Sequence, residues 1–156
     1  MLALDHLAVS CLTLEDGVQA VEAALGVALA GGGQHAHMAT HNRLLSLGPD
    51  LYLEVIAADT SQPRPAWPRW FDLDRFAGPP RLTNWICRCG DLDAELAFSP
   101  EGTGHPVALS RGDFRWRMAI PASGILPFDN AFPALIQWEG TAHPAPRLPD
   151  HGIRLA

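Results

Sequence analysis

Two apolar-rich runs, Leu44 to Leu47 and Leu51 to Ala57, flank Gly48-Pro49-Asp50. Gly-Pro-Asp is a turn signal, and the runs on either side of it predict a β-hairpin over Thr40 to Ala57. Folding Leu47 back onto Leu51 sets Leu44 opposite Glu54 and Asn42 opposite Ile56. Successive side chains of a strand point to opposite faces, so Asn42, Leu44, Ser46, Tyr52, Glu54 and Ile56 share one face. Leu45, Leu47, Leu53, Val55 and Ala57 share the other, a surface suited to a helix. Glu54 is the anomaly. A carboxylate in so apolar a strand is costly unless it faces water, a partner or a metal.

Leu4 to Cys11 reads as an earlier strand, with His6, Ala8 and Ser10 on one face and Leu7, Val9 and Cys11 on the other. Thr13 has the chemistry of a helix N-cap, and Glu15 and Asp16 favour the first turn electrostatically. Val18, Val21, Ala24 and Leu25 form a helical stripe that Gly26 ends. Val27 to Ala30 suits a short second strand, and Gly31 to Met38 a flexible approach to the hairpin. The glycine run lacks the Gly-Lys-Ser/Thr ending of a phosphate loop, so no nucleotide is expected there. Residues 58–81 form a long connection rich in Pro, Trp and Arg, read as a packed crossover whose Pro68 to Asp74 stretch docks aromatics onto the sheet.

The second half then repeats the first. Leu82 to Cys89 lies over Leu4 to Cys11 at an offset of 78, and the same offset sets Asp91-Leu92 on Thr13-Leu14. Val107 to Ser110 and Phe114 to Ile120 flank Arg111-Gly112-Asp113 as another hairpin. Ala134 to Trp138, like Tyr52 to Val55, places one polar residue in an apolar strand. Each half reads strand, helix, three strands, and a repeat of this kind implies two modules that complete one another's core. The fold class is therefore α+β, two tandem βαβββ modules. The first spans about 1–57, the crossover 58–81, the second about 82–140 and a tail 141–156, in one domain of 1–156.

Composition narrows the partners. The net charge is −6, and all 11 basic residues are Arg. No basic stripe marks a nucleic-acid groove. The longest apolar runs are too short to cross a bilayer. An odd number of cysteines (Cys11, Cys87 and Cys89) and no signal-peptide pattern before Asp5 suggest a reduced, cytoplasmic protein. Cys87 and Cys89 alternate away from Asn84 and read as core. No Ser-His-Asp order or nucleophile elbow is present.

Several stretches together resemble a known group: Leu4-Asp5-His6-Leu7, Thr40 to Gly48, Tyr52-Leu53-Glu54-Val55-Ile56, Arg69-Trp70-Phe71-Asp72-Leu73, and Phe132 to Trp138 with His143-Pro144. In this order they resemble the vicinal oxygen chelate superfamily of glyoxalases, bleomycin-resistance proteins and extradiol dioxygenases, and within it the glyoxalase-like domain branch. The resemblance implies a funnel-like, partly open barrel that takes a small-molecule ligand, and a homodimer, for which Trp67, Trp70, Phe71 and the prolines supply apolar surface. It also implies metal ligands on the first and last strand of each module. The first module supplies His6 and Glu54 for a divalent ion. The second supplies Asn84 and Gln137, and neutral amides are weak ligands. His37 or His41 would complete a three-ligand set, although His41 has the wrong alternation unless a bulge reverses it. A buried His6–Glu54 hydrogen-bonded pair accounts for both residues equally well. Asn42, Asn84, Arg88, Arg111, Trp116 and Gln137 are the expected substrate contacts. Two functions follow. One is an enzyme of lyase, isomerase or dioxygenase type, with His6 and Glu54 holding a metal or Glu54 acting as general base. The other is a binding or resistance protein that uses the same funnel to hold a ligand.

Overall fold

Side-chain alternation along the first strand, β1 (Ala3–Ser10), turns Ala8 into one apolar cluster and Val9 into another on the opposite face. In this computed structural model, which describes residues 1–156, a helix and three strands follow: α1 (Leu14–Leu25), β2 (Gln34–His35), β3 (Thr40–Ser46) and β4 (Tyr52–Ala58). The second half repeats the order as β5 (Arg81–Arg88), α2 (Leu92–Leu96), β6 (His105–Arg111), β7 (Phe114–Ile120) and β8 (Ala134–Trp138). All strands join one eight-stranded sheet in the order β2-β3-β4-β1-β5-β8-β7-β6, curled nearly closed into a barrel. β1 and β5 pair antiparallel at its centre, each with a parallel neighbour, β4 or β8. No helix is long and apolar enough to cross a membrane.

Local signals place the helices. The Asp16 N–H donates to Thr13 Oγ1 at 3.2 Å, and Gly26 ends α1 in the left-handed region at φ 71°. Val21, with Leu14 and Val18, seals the outer face of Val9, Leu45, Leu53 and Val55. Asp91 caps α2 in the same way, accepting from the Ala94 N–H at 3.0 Å. The first hairpin has the register set by its turn, Leu44 opposite Glu54 and Asn42 opposite Ile56.

Three expectations change. Val27 to Ala30 forms no strand, only a single bridge from Ala30 to Leu44. Arg43 donates to the carbonyls of Ala30 and Leu29 at 3.0 and 3.2 Å, and the strand forms instead at Gln34–His35. Gln137 is not the counterpart of Glu54. The offset of 78 carries Ala8 onto Ile86, so Glu54, paired with Ala8, falls on Ala134, paired with Ile86. Gln137 points to the other face, where its Oε1 accepts from the Leu92 N–H at 2.8 Å and supports α2. A short strand with one polar residue does not reveal which face that residue takes.

The third change concerns the crossover aromatics. Trp70 and Phe71 are buried in the inner cluster with Ala8, Ile56, Ile86 and Ile136, so they supply no surface for association. Of the three aromatics named for that purpose, Trp67 stays exposed, at 45%. Arg69 ties the crossover down. Its Nε–H donates to the Ala39 carbonyl at 3.1 Å, and its Nη1 reaches Asp74 Oδ1 at 2.6 Å. Hydrogen bonds to charged groups contribute about 1.5–3 kcal/mol each when buried. Arg69→Ala is therefore expected to destabilise the protein by about 2–3 kcal/mol, with Arg69→Lys in between. Urea denaturation followed by tryptophan fluorescence measures both.

Candidate active site

Glu54 lies mid-strand on β4 and is buried on the inner face of the barrel. Asn42, on β3, donates its Nδ2–H to Glu54 Oε1 at 2.6 Å. His6, on β1, brings Nε2 to 3.6 Å from Glu54 Oε2 and stacks its ring on Tyr52 with centroids 4.4 Å apart. The other nitrogen of His6, Nδ1, is 2.6 Å from Asp5 Oδ1. Consecutive residues of a regular strand point to opposite faces. A register shift between Leu4 and His6 breaks that rule here, and the Asp5 carboxylate meets the His6 ring. Asp5 is fully buried and also accepts from Trp138 Nε1–H at 3.0 Å, with His143 Nε2 at the same distance.

A second layer holds Asn42. Its Oδ1 accepts from the Gly33 N–H at 2.8 Å and from Arg111 Nη1 at 3.2 Å. Arg111 Nη1 also lies 3.1 Å from His35 Nε2, while His35 Nδ1 lies 3.1 Å from Thr40 Oγ1. Arginine only donates, so Nε2 of His35 is the acceptor and its proton sits on Nδ1, facing Thr40. The glycine run is the seat of this network. A β-carbon on Gly32 would collide with the Asn42 carbonyl oxygen, so no other residue fits there, whereas Gly31 faces open space. Above these groups is a cavity of about 30 Å³ walled by Trp70, Trp116 and Trp138, room for roughly two waters.

Burial alone would push the Glu54 carboxyl up, but the His6 ring and the Asn42 amide outweigh it and bring it to about 2. Burial likewise opposes the charge on His6, and bonding to Asp5 and Glu54 overcomes it, raising the imidazole to about 9. Asp5 is held well below the usual carboxylate range by His143 and His6, against the effect of burial. His35 goes the other way, to about 4, because burial is reinforced by the Arg111 charge, with Glu54 opposing. At neutral pH Asp5 and Glu54 are anions and His6 a cation, with Arg111 beside a neutral His35 and Arg88 Nη1 3.6 Å from Asp5 Oδ2.

The sequence profile of the glyoxalase-like domain family matches residues 4–156. The chain belongs to that family. With it comes the vicinal oxygen chelate superfamily, whose members often use a divalent metal. Methylmalonyl-CoA epimerase from Mycobacterium tuberculosis is a structural neighbour at 20% identity and TM-score 0.54, covering 89% of this chain and 88% of that one. A variant of Streptomyces coelicolor methylmalonyl-CoA epimerase, in complex with 2-nitronate-propionyl-CoA, matches at 14% identity and TM-score 0.55, covering 90% and 96%. A hypothetical protein from Bacillus halodurans matches at 13% identity and TM-score 0.58, covering 91% and 96%. These neighbours share the fold. No curated protein matches the sequence significantly.

In this glyoxalase-like domain the cavity brings together five of the anticipated residues: His6, Asn42, Glu54, Arg111 and Trp116. Three others lie outside its lining. Arg88 donates to the Asp50 carbonyl at 2.7 Å and stands 3.6 Å from Asp5 Oδ2, behind His6, and Gln137 faces α2. Asn84 is buried on β5 beside Ala8, with no hydrogen bond to either amide atom. His37 stacks on Trp67 at 4.6 Å, and the regular β3–β4 ladder sets His41 opposite Ala57, on the face away from Glu54. Asp5 and His35 were missed. Asp5 was visible only as the neighbour of His6, and His35 sat in a glycine-rich stretch read as an approach segment.

The donor set does not fit a divalent ion. His6 and Glu54 come together, but no group of three or more His, Cys, Asp or Glu side chains is arranged to hold a metal. His6 has Asp5 on one nitrogen and faces Glu54 with the other, and the Asn42 amide occupies Glu54 Oε1. At Asn84 and Ala134, the positions related to His6 and Glu54 by the repeat, stand an amide and a methyl group.

These charges fix how stability responds to pH. The raised His6 contributes fully below 6.5 and loses its contribution as pH climbs through about 9. The lowered Glu54 contributes fully above 4.5 and loses its contribution on acidification through about 2, with Asp5 acting in the same direction. His35 resists protonation in the fold, so stability also falls between pH 6.5 and about 4. Melting temperature is therefore expected to peak near pH 6.5, and His6→Gln to remove the fall between pH 6.5 and about 9. Thermal melts from about pH 3 to 10, which span the His6 and His35 transitions, measure both.

Proposed function

We propose that this glyoxalase-like domain is an isomerase-type enzyme that moves a proton at a carbon beside a carbonyl or carboxylate group. The observation that carries the reading is the buried Glu54 carboxyl in a cavity it shares with the His6 imidazole and the Arg111 guanidinium. Glu54 takes the proton from the substrate carbon, and the electron pair of that C–H bond moves into the neighbouring carbonyl to give an enolate. Arg111 and the His6 imidazolium are donors already in place to stabilise the oxyanion. Glu54 then returns the proton at a neighbouring position, so no other reactant is consumed. Asp5 acts as a positioning residue that keeps His6 charged, Asn42 orients Glu54, and Trp116 forms a wall. Substrate oxygens compete for the donors that now hold Glu54 near 2, and that competition raises its basicity when it is needed. The epimerases that share the fold support an isomerase reading.

A second reading, a small-molecule binding protein, is favoured by the same low value of Glu54 and its short bond to Asn42. A metal-assisted lyase or dioxygenase is disfavoured by the donor set. The three free, buried cysteines fit a cytoplasmic setting. A homodimer would use the exposed Leu82 and Trp85 of β5, and light scattering at micromolar concentration is expected to give a dimer rather than 16.8 kDa.

The test is hydrogen exchange in D₂O. Straight-chain and branched 2-oxo acids and methylmalonyl-CoA are incubated with the protein, and deuterium entry beside the carbonyl is followed by NMR. Wild-type protein is expected to catalyse exchange, and Glu54→Gln to slow it about 100-fold or more, the scale of general-base catalysis. His6→Gln should slow it similarly, with the double change adding little because the two act as a unit. Exchange by Glu54→Gln at the wild-type rate would overturn the proposal. Tight binding with no exchange across the panel would assign the pocket to ligand holding alone.

A further inference from the structure

The barrel is not closed everywhere. β2 and β6 are the two ends of the strand order and share no backbone ladder. Arg111, at the end of β6, bridges them by its side chain, reaching His35 on β2 and Asn42 on β3. Beside this bridge the seam carries a cavity of about 210 Å³, lined by Ala36, Ala108, Leu109 and Ser110. It shares His35 and Trp116 with the cavity over Glu54. A further cavity of about 260 Å³ shares His37 with it and is walled by Met38, Trp67, Val107 and Ile120. The three spaces thus neighbour one another in turn, from the buried charges to the surface at Trp67.

Their chemistry differs sharply. The innermost, of about 30 Å³, has room for roughly two water-sized atoms and holds His6 and Arg111. Neither outer cavity is lined by any Arg, Asp or Glu; His37, His105 and His35 are their sole ionisable side chains. A polyphosphate or nucleotide-bearing tail needs cationic partners, which these two outer cavities lack; Arg147 lines a separate cavity of about 220 Å³ that meets the inner one at Arg111 and Leu44. An apolar chain needs apolar surface, and the cavity at Trp67 supplies it through Met38, Trp67, Val107 and Ile120.

We propose that the ligand of this site is a carboxylic acid with an uncharged, apolar chain. The carboxylate takes the small inner cavity on Arg111 and His6, and the chain leaves through the β2–β6 seam over Trp116 toward Trp67. This substrate class rests on the anion-binding role given above to Arg111 and His6. Arg111 is then both the closure of the seam and the head-group receptor. The entering carboxylate replaces His35 and Asn42 as its acceptor.

Calorimetric titration of the full chain with butanoate, hexanoate, octanoate and methylmalonyl-CoA tests the assignment. Affinity is expected to rise about two- to fourfold per methylene from butanoate to octanoate, the scale of burying one CH₂. Ala108→Glu, which puts a carboxylate on the exposed seam edge, should weaken octanoate about tenfold more than butanoate. Arg111→Met should weaken all three acids, with Arg111→Lys retaining part of the affinity and melts confirming that both variants fold. Affinity that depends on Arg111 but not on chain length would overturn the seam assignment and leave the head site standing. So would tighter binding of methylmalonyl-CoA than of octanoate. Acids whose binding ignores Arg111 would overturn the head site, and the seam with it.

Discussion

A buried chain of alternating charge, Asp5–His6–Glu54, is the constraint to which the rest of the inner barrel is fitted. All three side chains lie almost wholly out of water. Removing one partner from such a pair leaves an uncompensated buried charge, at a cost of roughly 3–5 kcal/mol. Each member therefore needs the next. The fold supplies them from separate places: β1 for Asp5 and His6, β4 for Glu54, β8 and the tail for Trp138 and His143. Asp5 thereby ties the first strand to the last strand and to the C-terminal segment. A small break in strand register, between Leu4 and His6, lets two consecutive residues serve one site.

The two halves share a fold and divide the labour. The first module carries the charges, and the second carries uncharged residues where they repeat: Thr83 and Asn84 for Asp5 and His6, and Ala134 for Glu54. Ala134 and Ile86 stand at the register positions of Glu54 and Ala8. The second module still contributes chemistry, through Arg111 and Trp116 of its hairpin. These reach the site only because β6 and β7 curl round to face β2 and β3. The site is thus built across the pseudo-repeat. The crossover adds Trp70 as a wall, fixed by the bonds of Arg69 to Ala39 and Asp74.

Much of this was legible in the chain, and the reason is local. Hairpin register follows from the turn, so the placement of Glu54 beside Asn42 and Leu44 could be read directly from Gly48-Pro49-Asp50. Thr13, Gly26 and Asp91 set helix ends through their own backbone neighbours. The offset of 78 gave the module order, and the motifs around His6 and Glu54 pointed to the family. Alternation also placed Cys87 and Cys89 in the core.

What escaped depended on register and on approach between distant segments. Gln137 was assigned to the wrong face because an isolated short strand does not state its phase, and only pairing with β7 and contact with α2 settled it. Asp5 entered the site through a bulge that its neighbours do not announce. The glycine run looked like a flexible approach, but it is close-packed: Gly32 lies under the Asn42 carbonyl and Gly33 donates to the Asn42 side chain. His35 becomes functional only where β2 meets the edge of β6. The sequence by itself determined the long strands β1, β3, β4 and β5, their faces and the in-strand carboxylate, because these are set by neighbours a few residues apart. Only the tertiary structure decided which cations answer that carboxylate and where the barrel stays open, because both depend on strands brought together from opposite ends of the chain.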